Sequence, residues 1–100
     1  MLKKELIELC LLHLLSQGDQ YGYEILPRLR AAFPDTQESA VYAILRALGQ
    51  AGCTKRYSGP VSSGPARKYL QLTETGRTRY QALFARWRAL REALEELGVR

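Results

Sequence analysis

The sequence predicts a mainly α fold of the α+β class: three helices, a two-stranded β-hairpin and a long closing helix. Three observations predict it. Apolar residues recur at helical spacing through residues 2–17, 20–33 and 36–52. The period then shortens to alternation on either side of a stretch rich in Gly, Pro and Ser at 58–66. From Tyr80 the apolar positions step by three and four residues as far as Leu97.

One hundred residues make one domain, and 46% hydrophobic residues supply a small core. A chain of this size buries a modest share of its surface, so a partner chain would add to it. Lys plus Arg is 15 against 10 for Asp plus Glu, a net charge of +5. That balance suits a polyanion such as nucleic acid or an acidic membrane face. Residues 36–72 carry Arg46, Lys55, Arg56, Arg67 and Lys68 against Glu38 alone, so most of the excess lies there.

The first helix, 2–17, has a wide apolar face: Leu2, Leu6, Leu9 and Leu12 with Ile7, Cys10, Leu11, Leu14 and Leu15. It is wider than one small domain needs, which leaves part of it for a second chain. The stretch also carries Lys3, Lys4, Glu5, Glu8 and His13, and is too short and too charged to span a bilayer. Gly18 ends this helix, and Asp19 is positioned to cap the next. In the second helix, 20–33, Ile25, Leu26, Leu29 and Phe33 are expected to face inward. Pro27 falls inside the pattern; its cost is small only if the helix starts late, near Tyr23. Pro34-Asp35 makes the turn.

The third helix has Val41, Ile44, Leu45 and Leu48 on one stripe, with Ser39, Tyr42 and Arg46 on the other side. Thr36 is its candidate N-cap, and Gly49 or Gly52 its stop. Strands are expected at 53–57 and 67–72, joined by the turn-rich loop 58–66. Thr73 is a good N-cap for the last helix, with Glu74 at its positive end. Gly76 near its start has no explanation in the sequence.

Three helices, a hairpin with a basic base and a long amphipathic helix together make a winged helix-turn-helix followed by a C-terminal dimerisation helix. Residues 1–72 form the DNA-binding domain, and 73–100 pack on the first helix of a partner subunit. The third helix enters the major groove of double-stranded DNA, and the hairpin lies against the backbone or minor groove. Arg46, Lys55, Arg56, Arg67 and Lys68 are the expected phosphate contacts. Gln37, Ser39 and Tyr42 are the candidates for base edges or nearby phosphates. The dimer interface is expected at Leu2, Leu6 and Leu9 with Leu83, Trp87, Leu90, Leu94 and Leu97.

No enzyme is expected. Nothing places a nucleophile beside a base, and His13 stands alone on a Leu-rich helix. No metal-ligand spacing and no cofactor motif occur in the sequence. Cys10 and Cys53 read as free thiols of a cytoplasmic protein. The expected partners are DNA and a second copy of the chain, with no membrane.

Three stretches resemble the PadR family of bacterial transcriptional regulators. They are Gln-Gly-Asp-Gln-Tyr-Gly-Tyr-Glu-Ile at 17–25, Glu-Ser-Ala-Val-Tyr-Ala-Ile-Leu-Arg-Ala-Leu at 38–48, and Gly-Pro-Ala-Arg-Lys-Tyr-Leu-Gln-Leu-Thr-Glu-Thr-Gly-Arg at 64–77. The last is the most specific, a wing strand running into Leu-Thr-x-x-Gly. The resemblance covers almost the whole chain. It implies a homodimer, operators with two-fold symmetry and, usually, repression; the single last helix is similar to the short-form members. This chain departs from the family at Gly64-Pro65-Ala66, where one wing cation is absent.

Trp87 carries two readings. One is an aromatic of the dimer core. The other, implied by the resemblance of 82–88 to drug-sensing short-form members, is an effector site. There, paired tryptophans stack a small planar aromatic ligand, and Arg91 one turn on favours neutral or anionic ones. The rival to gene regulation is a winged-helix protein-docking dimer without specific DNA binding, which the missing wing cation favours.

Overall fold

The computed structural model describes residues 1–59 and 67–100. Residues 60–66, where the sequence predicts a turn-rich loop and where Gly64-Pro65-Ala66 departs from the family, lie outside the described residues. The elements are α1 (Lys3–Ser16), β1 (Gln20–Tyr21), α2 (Gly22–Ala32), α3 (Glu38–Gln50), β2 (Thr54–Gly59), β3 (Arg67–Leu72) and α4 (Glu74–Glu96). The fold is mainly helical with a small antiparallel sheet, a winged helix. The strand order is β1-β3-β2.

The core is built from one face of each of α1, α2 and α3. Ile7, Leu11, Leu12 and Leu15 meet Ile25, Leu26 and Leu29, and all four residues of the predicted α3 stripe are buried. Leu70 and Leu72 close it from the sheet, Cys53 from the turn before β2, and Leu83 from α4. A fully buried leucine contributes about 1.5–3 kcal/mol, so this cluster dominates the stability.

The sheet has three strands rather than the two expected. Gln20 and Tyr21 pair with Leu70 and Tyr69. A two-residue strand shows no alternation, and its hydrogen bonds exist only because β3 lies beside it. Gln20 also donates from Nε2 to the carbonyls of Leu14 and Gly18, both at 3.0 Å. It thus ties the end of α1, where the Leu14 carbonyl also accepts from Gln17 N, to the turn at Gly18. Its Oε1 accepts from Arg28 at 2.8 Å.

Four local expectations are corrected. Because β1 takes residues 20 and 21, α2 starts at Gly22 and Pro27 falls in its second turn. The helix persists because Ile25, Leu26 and Leu29 are buried in the core. Phe33 does not face inward; it is 38% exposed. Thr36 does not cap α3: its hydroxyl donates to the Phe33 carbonyl at 2.7 Å, and Gln37 holds the cap position without a side-chain bond. Asp19 does not cap α2 but accepts a hydrogen bond from the Tyr57 hydroxyl.

The junction between α3 and α4 is tight. Gly52, at φ +78°, ends α3 in the left-handed region. Its N–H donates to Gly49 O at 3.1 Å, and that of Cys53 to Leu48 O at 2.8 Å, the double bond pattern of a Schellman end. Thr73 caps α4 as expected, its Oγ1 accepting from Gly76 N at 3.1 Å and donating to Gly52 O at 2.6 Å. Gly76 is buried there, and a methyl group at this position would overlap the Cys53 carbonyl.

The first half of α4 is tied to α1 of the same chain. Arg79 donates to both Glu8 oxygens at 2.8 and 3.2 Å. Arg86 pairs with Glu5, and the Tyr80 hydroxyl lies 2.7 Å from His13 Nδ1. Beyond Trp87 every residue of the chain is exposed.

Candidate nucleic-acid interface

Burying Val41, Ile44, Leu45 and Leu48 decides what α3 shows to solvent. At 100° per residue the opposite face carries Ser39, Ala43, Arg46 and Gln50, all exposed. Two depressions flank this face. One, of about 440 Å³, is lined by Glu38 and Tyr42 of α3, Tyr23 of α2, and Arg56 and Lys68 of the sheet. The other, of about 410 Å³, holds Gln37 and Ala40 with Lys3 and Lys4 of α1 and with Asp35. A third, of about 380 Å³, places Arg46 beside Arg56.

The pleat divides the expected wing cations. Side chains alternate across a strand, and the register pairs Arg56 with Leu70 and Ser58 with Lys68. Arg56 and Lys68 therefore share the face of the sheet that carries buried Leu70 and Leu72, and reach past it toward α3. Lys68 Nζ donates to Ser58 Oγ at 3.2 Å. Lys55 and Arg67 lie on the opposite face, with the guanidinium carbon of Arg67 4.9 Å from the Tyr21 ring centre. The structure thus brings Tyr42, Arg56 and Lys68 together along one flank of α3, with Arg46 beside Arg56. It sets Gln37 on the other flank and Lys55 and Arg67 on the other side of the wing.

Tyr23 is a surface residue that sequence reasoning missed. It is 73% exposed at the start of α2, beside Tyr42, Arg56 and Lys68. The signal was the Tyr-Gly-Tyr triplet, whose first tyrosine is half-buried against the sheet and whose second is turned out. Tyr57 stacks on Tyr69 at 5.6 Å, and its hydrogen bond to Asp19 raises its pKa above the ordinary 10.0.

A second, apolar surface lies on the far side. Trp87, Phe84 and Tyr80 of α4, Cys10 and Leu14 of α1, Arg28 of α2 and Phe33 just past its end line a groove of about 370 Å³. Burial pushes the Cys10 thiol above its usual value, which keeps it neutral there. Both cysteines are free. Arg91 does not line the groove; its guanidinium carbon sits 5.1 Å from the Trp87 ring centre. Of the residues expected at a dimer interface, Leu9 and Leu83 are buried within the single chain, and Leu6 and Trp87 are half-buried. Leu2, Leu90, Leu94 and Leu97 are exposed, Leu97 by 82%.

Among the described residues no group of His, Cys, Asp and Glu is placed to hold a metal ion. Among the described residues no helix is long and apolar enough to cross a membrane.

Residues 11–82 match the model of the Transcriptional regulator PadR-like family. A Streptococcus transcriptional regulator of known structure is 30% identical, over 95% of this chain and 94% of that one, with a TM-score of 0.83. A PadR-like transcriptional regulator from Bacillus cereus is 26% identical over 92% and 90%, again at 0.83. An uncharacterised protein of Lysinibacillus sphaericus is 28% identical over 85% of this chain and 81% of its own length.

Proposed function

The chain belongs to the Transcriptional regulator PadR-like family, and from that premise we propose that it is a sequence-specific DNA-binding repressor acting as a homodimer in the cytoplasm. The observation that carries the reading is the clustering of Tyr42, Arg46, Arg56 and Lys68 around the polar outward face of α3. A helix presented this way fits the major groove, with Ser39 and Tyr42 toward base edges and the cations on phosphates. Residues 1–72 form the reading head. Residues 73–100 join two copies through the open end of α4, where Leu90, Leu94 and Leu97 await cover.

Control follows from the groove at Trp87. A small planar aromatic ligand seated against Trp87 and Phe84 touches α1, α2 and α4 at once. If it binds two arrangements of the subunits unequally, it shifts their populations and so the spacing of the two α3 helices. Saturable quenching of Trp87 fluorescence by a panel of planar compounds is the expected result; a panel without any quencher removes the effector.

Mobility shift on DNA upstream of the gene and its neighbours tests the main reading. Arg46, Arg56 and Lys68 from two subunits set a salt slope of roughly −5 in log K against log[salt]. The double variant Tyr42→Ala, Arg46→Ala is expected to lose the shift while remaining a dimer. Binding that survives the double variant defeats the groove assignment. A salt-independent association would instead support a protein-docking dimer.

A further inference from the structure

We infer that Glu38 is a base-selecting residue, which picks out, at one position of the contacted strand, a base whose exocyclic amine faces it in the major groove, cytosine first. The inference rests on the DNA-reading assignment above and deepens it.

Between residues 36 and 72 the chain carries five basic side chains and one acidic one, Glu38. It is the first residue of α3 and is exposed. It shares a depression with Arg56 and Lys68, yet it makes no ion pair among the described residues. Lys68 is bonded to Ser58 instead. Tyr42 is one turn further on, so carboxylate and phenol share one flank of the helix.

A carboxylate carried toward a duplex meets phosphates on both walls of the groove, and their repulsion weakens binding unless a donor answers it. On the base edges of the major groove only cytosine N4 and adenine N6 donate; guanine and thymine present acceptors or a methyl group. The first turn of the inserted helix is where a helix-turn-helix meets those edges. Glu38 therefore accepts a hydrogen bond from an amine and rejects the two bases whose acceptors would face it. Arg56 and Lys68 on the same flank hold the adjacent phosphates, which offsets the charge that Glu38 brings in.

Binding-site selection from randomised duplexes tests this, using the full chain as wild type, Glu38→Ala and Glu38→Gln. The wild type is expected to enrich cytosine at one position in each half-site. Glu38→Ala flattens that position alone, reducing its discrimination roughly tenfold, and Glu38→Gln moves the preference to adenine. An unchanged profile in Glu38→Ala overturns the assignment, as does a uniform gain in affinity for every sequence, the effect of a merely repulsive surface carboxylate. A wild type that enriches no sequence removes the DNA-reading assignment and this one with it.

Discussion

Helices α3 and α4 are both amphipathic, and their apolar stripes end differently. That of α3 is consumed within the chain: Val41, Ile44, Leu45 and Leu48 are all buried. That of α4 is consumed only at its start, where Leu83 is fully buried while Leu90 and Leu94 stay 39% exposed. An apolar period says that a face is to be covered; the cover itself is a property of the neighbours. For α3 the neighbours include α1 and β2, and its polar face stays exposed. For α4 beyond Trp87 every residue stays exposed.

The largest test of this contrast is charge placed on the open half of α4. The double variant Leu90→Asp, Leu94→Asp is expected to be monomeric by light scattering, with helical circular dichroism retained and DNA binding lost. A dimer that survives both aspartates would mean the open stripe is not the joint. Next in size is a pair of alanine substitutions, one in each half. Leu83→Ala should cost about 2–5 kcal/mol in urea unfolding, because it leaves a cavity in the core. Leu97→Ala should change the stability of the isolated chain by less than about 0.5 kcal/mol. Equal effects would erase the distinction between the halves.

The smallest effect concerns the ties that hold the covered half of α4. The Glu5 carboxyl is held below its usual 4.5, first by the Leu2 amide and then by Arg86. Its contribution is therefore present above about pH 4.5 and is lost as pH falls through the lowered value. The difference in thermal midpoint between wild type and Glu5→Gln should be present at pH 6 and shrink steadily as the pH is taken below about 4.5.

What the sequence made legible divides along the same line. The stripe of α3 and the cap at Thr73 are local patterns, and both stand in the structure. The third strand is not local: Gln20 and Tyr21 are extended because Leu70 and Tyr69 are there to pair with them. Phe33 fits the helical period of α2, yet at the helix end it falls on the rim of the Trp87 groove. The division of the wing cations follows from the pairing register, which places Arg56 and Lys68 on one face and Lys55 and Arg67 on the other. Gly76 is explained only by the Cys53 carbonyl that approaches it.

The clasp at Gly52, Thr73 and Gly76 bonds the end of α3 directly to the start of α4. The two helices therefore turn as one lever. With 23 residues, α4 is roughly 35 Å long. If its far end is pinned to a second copy, a tilt of about 10° swings the near end by about 6 Å, nearly two base-pair steps along DNA at roughly 3.4 Å each. In such a pair, a small wedge at Trp87 would be enough to move the two α3 helices out of step with the helical repeat of a duplex.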